Sequence, residues 1–565
     1  MGTVTRLSRL KCSVYMFTLI IHIPILHGEE QSQCPSLAEN PICPCYNFKE
    51  GLFLECPSAT PGVVKNVLSK IRGTIQSLSI YDLESSTTEL KADLFPPKIK
   101  INNLQISQSA INKISPNAFS TIRDSLGSLS IISSKLNTIP HESFSELYNI
   151  EALDLQLNDI KDVQANTFKN LKLKKLNLKG NKIANISEDA FYNLENLLSE
   201  LDLTENFLNV FPLKSFAKLN KLSSLRLAWN KINSIPADVN FTVPHLVNLD
   251  LSSNQFIRIE NNWFRCMPNI KTLTFFSNQI QTIDEEAFYF LVKLETIDLS
   301  RNKITNVAKN TFQKNHNIRT IDLSHNHLHY IRGVFSNLRQ LSEIFLSENN
   351  ILEISEDAFE NAIGLTVLNL EHNAIQHLHS NCFSSLQNLT QLHMGTNFLK
   401  KLPRNVFRSN HRLVTLSLDN NDVNELDELV FDKLKELREI RLQNNKLNQI
   451  KRNVFTPLPE LLELHLQNNV IQNIDSQAFI TLKSLQHINL QGNRLNTIGD
   501  VFPNRDSSLV SIQLGANYLS LLKNTSLLGQ VNVQIMWLSQ NNIKVLTANL
   551  FNDLINIQRL YLKNN

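Results

Sequence analysis

The sequence predicts an α/β solenoid. Short coils stack into a curved horseshoe, with one parallel β-sheet on the concave face and mostly loops and short 3-10 turns on the convex face. Two observations carry this reading. The frame L-x-L-x-x-N-x-[LIVF] recurs along the chain, and its asparagine returns almost always every 24 residues, with 23 or 25 as rare departures. A phenylalanine follows ten residues behind most of those asparagines. At 565 residues the chain would ordinarily suggest several globular domains, but two markers holding phase over about twenty turns describe one repeated unit.

Residues 1–28 stand apart from that unit. Arg6, Arg9 and Lys11 precede the apolar run CSVYMFTLIIHIPIL, and a small residue, Gly28, follows it. A basic start, an apolar core of about 15 residues and a small residue together predict a secretory signal peptide. A membrane-spanning helix needs ~20 apolar residues; this run is shorter and is broken by His22 and Pro24. These three cations account for the formal charge of +3, so the remainder is close to neutral. A neutral chain of mixed charges argues against nucleic acid and against an anionic membrane surface as partners. No later segment is apolar enough to span a bilayer, so no membrane insertion is expected within the chain.

Residues 29–75 predict a cysteine-rich cap. Cys34, Cys43, Cys45 and Cys56 lie together directly after the signal, which in an oxidising compartment reads as a two-disulfide module. Spacing alone leaves three connectivities open. Zinc is disfavoured, because Cys-x-Cys is not a zinc-knuckle spacing and zinc thiolates suit reducing compartments.

Residues 76–565 predict the array, about twenty repeats with the ladder asparagines running from Asn158 to Asn565. Two degenerate repeats precede these, with Ser109 and Ser134 in the asparagine slot. In L-x-L the leucines point to one side of a short strand and the intervening residues to the other. One such strand cannot bury its leucines alone, so neighbours must stack over a continuous core. The asparagine falls where each coil turns inward and its backbone leaves the sheet ladder. A buried amide there must be hydrogen-bonded, and stacked asparagines are expected to bridge successive turns. The phenylalanine column fills the opposite, wider side. At ~4.8 Å per strand, the inner face extends on the order of 100 Å.

This pattern resembles the extracellular leucine-rich repeat family in its 24-residue form, and the upstream cysteines resemble that family's N-terminal cap. The resemblance implies the pairing Cys34–Cys45 and Cys43–Cys56. A long uninterrupted array behind a cap containing NPICPC looks closest to invertebrate chaoptin- or artichoke-type proteins, which implies a cell-surface or matrix protein linked to adhesion.

No catalytic constellation is present: there is no G-x-S-x-G, H-E-x-x-H, phosphate loop or dinucleotide fingerprint. The chain is therefore expected not to be an enzyme, with no cofactor and no metal site. The histidine-rich SHNHLHY, with His325, His327 and His329, reads as a polar surface stretch. Function in a solenoid falls on the positions the frame leaves free, the three before each asparagine. These are mostly small or polar, but Trp229, Phe276, Phe345, Trp537 and Tyr561 break that rule. Aromatics beside an arginine compose interface hot spots, so Arg226, Trp229, Phe276 and Phe345 are the candidate protein-binding residues. Asp202, Asp250, Asp298 and Asp322 recur at one free position, and the family's own habit there favours a structural role over an acidic stripe for a basic ligand.

Four N-x-S/T acceptors, Asn185, Asn240, Asn388 and Asn524, are candidate glycosylation sites, none of them at a ladder position. Cys266 and Cys382 lie about five turns apart, ~24 Å by the strand spacing and beyond disulfide reach. Cys382 takes the small slot before Phe383 and is expected to be a buried free thiol, whereas Cys266 is left open between a buried thiol and an intermolecular partner.

The expected function is a secreted or cell-surface protein mediating protein–protein recognition or cell adhesion through its concave face, with an extracellular protein ligand or a second copy as partner. The alternative is the ectodomain of a Toll-like immune or developmental receptor, which a transmembrane helix and signalling domain further along would mark. The last residues, QRLYLKNN, stop in the middle of a repeat. A truncation is expected there, with room beyond it for a lipid anchor or a transmembrane helix.

Overall fold

The computed structural model describes residues 34–35, 42–238, 240–456, 458–503 and 505–565, and the expected signal peptide lies outside them. The main sheet opens with an antiparallel hairpin, Cys45–Phe48 against Gly51–Pro57. Gly51 closes its turn at φ 128°, a conformation that a side chain would strain. Disulfides join Cys34 to Cys45 and Cys43 to Cys56. A helix, Pro61–Lys70, follows; Thr60 caps it by accepting the Val63 N–H, and proline starts its first turn. It buries Val64, Val67 and Leu68 beside the first coils.

From Gly51–Pro57 onward each strand pairs in parallel with the next, as far as Arg559–Tyr561. The sheet holds 23 strands among the described residues, and their register fixes what stacks on what. Leu176 pairs with Leu201, Leu201 with Leu225, and Leu225 with Leu249. Most strands are three residues long, with a buried centre and flanks that usually face water, as in Lys175–Asn177.

Beyond each strand the ladder asparagine takes over. Asn302 donates from Nδ2 to the carbonyls of Phe275, Leu299 and Ser300 at 2.9, 3.0 and 3.1 Å. Its Oδ1 accepts the Ile280 N–H at 3.0 Å. The bridge between turns thus runs from side chain to the backbone of the preceding turn, not from amide to amide. The ladder asparagines from Asn158 to Asn541 are all buried and repeat the two bonds to the preceding turn, one from Nδ2 and one to Oδ1. Ser109 and Ser134 do not reach so far; each hydroxyl bonds only within its own turn, to the carbonyls of Ser107 and Ile132. Those early turns have longer strands instead, eight residues in Thr74–Tyr81 and Lys100–Ser107 and five in Ser128–Ile132. Extra backbone pairing there stands in for the missing amide.

On the convex side the phenylalanines form a spine, and where successive rings meet their centres lie 5.5 to 6.4 Å apart. It breaks where Asn240 occupies the slot ten residues after Asn230, and Leu527 fills it once. Turns dominate this side, with 3-10 helices at Ala92–Leu94 and Ala548–Phe551 and short α-helices at His141–Phe144 and Leu213–Ala217. Six small parallel pairs of two-residue strands also occur there among the described residues, such as Arg258–Ile259 with Thr282–Ile283. Among the described residues no helix is long and apolar enough to cross a membrane.

Candidate recognition face

The first and third residue of each short strand face outward, and register lines them into rows along the concave sheet. The third-residue row reads Asp202, Arg226, Asp250, Thr274, Asp298, Asp322 and Phe345 over consecutive strands. The recurring aspartates have a local task. Oδ1 of Asp202, Asp250, Asp298 and Asp322 accepts the N–H of the residue two further on, at 2.9 Å in each case. Asn177, Asn369 and Asn489 do the same at 3.0 Å. This is an Asx turn, which satisfies an N–H where the strand ends. Burial pushes the Asp154 and Asp322 carboxyls above the usual range, and these N–H bonds oppose it.

The candidate binding residues separate into two places. Arg226 faces outward, its Nη1 3.5 Å from Asp202 Oδ2 on the preceding strand. Trp229 lies past the end of that strand and is 66% exposed. Its φ of 55° is the left-handed conformation that its slot adopts in turn after turn, as at Glu205, Ser253 and Arg301. Glycine takes the slot at Gly180 and Gly492. A left-handed residue interrupts the strand's alternation, so Trp229 stands past the strand and outside its registered rows. Phe276 stands on the face itself, half-buried, with the Arg301 guanidinium 5.9 Å from its ring centre. One strand, Asn248–Asp250, separates the turns of Trp229 and Phe276. Phe345 lies three strands beyond Phe276 and is half-buried, so it is not part of the same patch. Trp537 and Tyr561 make a separate stacked pair, ring centres 5.2 Å apart.

The sequence reading missed Phe207, which is 45% exposed beside the Trp229 turn, with the Lys231 ammonium 4.8 Å from its ring centre. Its slot follows the asparagine, outside the three free positions that precede it. It also missed Glu439, Glu463 and His465, which the face brings together from two adjacent strands. His325, His327 and His329 join no such group.

All four glycan acceptors lie off the strands of the main sheet. Asn185, Asn240 and Asn524 are exposed, and Asn388 is half-buried with Nδ2 donating to the Ile363 carbonyl at 2.9 Å. Asn185 lines an apolar cleft with Ile186, Val210 and Phe241, next to the turn where Asn240 interrupts the spine.

Cys266 and Cys382 are both buried free thiols. Cys266 is 2% exposed, and its thiol donates to the Trp263 carbonyl at 3.5 Å, which favours the buried-thiol reading over an intermolecular one. Burial raises its pKa to about 11 and raises that of Cys382 further still. Neither thiol should react with a disulfide reagent at pH 8 in the native chain, and both should react once it is unfolded. The raised pKa also carries a sign. The folded chain keeps the Cys266 proton above 9.0, where the unfolded chain releases it, so the contribution to stability is complete below pH 9 and falls away towards about 11. Denaturation midpoints of wild type and Cys266→Ala should converge or cross as pH rises through that window.

A family model described as "Leucine rich repeat" matches residues 172–232, 244–304, 293–351, 339–399, 388–447 and 435–495, more than half of the chain. A second, described as a BspA type leucine rich repeat region, matches 69–198. Keratocan of Mus musculus is 32% identical over 142 residues, 22% of this chain and 40% of keratocan, so the chain spans well under two thirds of that relative. Among solved structures, the glycosylated Toll–Spatzle complex of Drosophila aligns with a TM-score of 0.57 at 18% identity, over 91% of this chain and 67% of that one. A leucine-rich repeat protein of Leptospira interrogans aligns with a TM-score of 0.54 at 22% identity, over 77% and 96%. At these identities the likeness is one of fold.

Proposed function

The chain belongs to the leucine-rich repeat family, and from that premise we propose that it is a secreted or cell-surface recognition protein that binds an extracellular protein along its concave face. One observation carries the reading. Frame positions repeat the same residue turn after turn, while the registered outward positions that carry no turn-forming aspartate differ in chemistry, among them Arg226, Thr274 and Phe345. A long rigid surface with varied side chains suits a macromolecule more than a small substrate. Two disulfides in the cap support an oxidising, extracellular setting, in line with a signal at 1–28, a cap at 29–75 and an array over 76–565. An adhesive role of the chaoptin or artichoke type fits the same arrangement, with either a second copy or a different protein as partner. In its solved complex, Toll is bound to Spatzle on a scaffold of this fold.

Arg226, Trp229 and Phe276 are the first place to look. The Trp229 backbone bears the cost of a left-handed conformation, on the order of 1 kcal/mol, and the ring is left in water. Phe207 extends its apolar surface. The full secreted chain, immobilised and presented with purified extracellular proteins and with itself, should bind at least one of them. Trp229→Ala combined with Phe276→Ala should weaken that binding by roughly 30-fold or more, the scale of a lost hot spot. Binding unchanged in the double variant would remove the patch from the reading.

A further inference from the structure

We propose that Glu439, Glu463 and His465 form a binding site for a divalent transition-metal ion of the zinc type on the concave face. Glu439 begins the strand Glu439–Arg441, Glu463 begins Glu463–His465, and register places the two glutamates directly opposite each other. His465, two residues after Glu463, faces the same way. Its Nε2 lies 3.2 Å from Glu463 Oε2 and 4.0 Å from Glu439 Oε1. One ligand atom from each residue falls within 4.8 Å of the others. Bonds of about 2.0–2.2 Å to a tetrahedral zinc set ligand atoms roughly 3.3–3.6 Å apart, so small side-chain rotations on fixed strands complete the geometry.

Three further arguments favour an ion there. Like charges directly opposed across neighbouring strands are destabilising, and a cation between them reverses the sign. All three side chains are half-buried, which strengthens the attraction relative to open water. One imidazole nitrogen and two carboxylates match zinc, with a fourth position left for water. Calcium needs six to eight oxygens, more than these residues offer. Arg441 competes for the same charge, since its Nε donates to Glu439 Oε1 at 2.6 Å. An ion that binds Glu439 therefore displaces Arg441, which gives the site a distinctive response to mutation.

Titration calorimetry of the full chain with zinc chloride tests this, with manganese and calcium chlorides as comparators. Zinc should bind more tightly than calcium. His465→Gln and Glu463→Gln should each weaken the tightest zinc site at least 10-fold. Arg441→Gln should tighten it about five-fold by removing a neighbouring positive charge. His393→Gln, on a strand outside the cluster, should leave it unchanged. Circular dichroism checks that each variant is folded, and the gain expected for Arg441→Gln does not depend on the others folding. No zinc binding, zinc binding indifferent to His465→Gln, weaker binding in Arg441→Gln, or tighter binding of calcium than of zinc would each overturn the assignment.

Discussion

Phe383→Ala should lower the stability of the array by about 3–5 kcal/mol, the range for truncating a fully buried aromatic. Phe383 is 0% exposed, and its ring lies 6.4 Å from that of Phe359 and 6.2 Å from that of Phe407. Neither neighbour can collapse into the space, because each is held by its own coil and by the next ring along. Phe383→Leu should cost much less, roughly 1–1.5 kcal/mol, since Leu527 already occupies the equivalent slot once. Because each coil touches only its neighbours, the damage should be local. Hydrogen exchange should quicken around residues 359–407 well before it does in the disulfide-bonded hairpin of residues 45–57, and denaturant midpoints report the size of the loss.

Asn302→Ala should cost about 1–3 kcal/mol, mostly through one orphaned donor. The Phe275 carbonyl keeps a bond from Asn278 Nδ2 at 3.1 Å, and the Leu299 carbonyl keeps one from Asn326 Nδ2 at 3.0 Å. The buried Ile280 N–H has no such substitute for Asn302 Oδ1. The effect is therefore directional: exchange of the Ile280 amide, in the preceding turn, should quicken more than that of any amide in the following one. Asn302→Ser should recover little, because Ser109 and Ser134 bond only within their own turns. Equal loss of protection on both sides would contradict the bridging role.

What the sequence made legible was whatever repeats. Leucine, asparagine and phenylalanine each do one job in most coils, so their period alone gives the sheet, the turn and the spine. Departures from the period were harder to read. Asn315 and Asn410 look like surface residues, yet both are fully buried in a slot that is mostly leucine, donating to the carbonyls of Phe288 and Leu291 and of Phe383 and Leu386. Trp229 falls at a free position by spacing, but a left-handed backbone sets it outside the strand rows. The candidate aromatics share a row pattern in the sequence, while strand count along the sheet separates Phe345 from Phe276. Glu439, Glu463 and His465 were invisible for a related reason. A solenoid brings residues a full repeat apart into contact, and no short motif spans that distance.

A glycan placed on the concave face tests binding there most directly. Thr272→Asn, with Leu273 and Thr274 unchanged, completes an N-x-T acceptor on the strand Thr272–Thr274, between the turn of Trp229 and that of Phe345. Arg339→Thr completes another at Asn337 on the outer side, where Asn337 is exposed two residues after the spine residue Phe335. With occupancy confirmed by mass spectrometry, the concave glycan should abolish binding to the partner, and the outer one should leave the affinity within two-fold of wild type, inside the usual ±0.5 kcal/mol of a neutral surface change. Full binding by the chain glycosylated at position 272, or loss of binding with the outer glycan alone, would contradict recognition through the concave face.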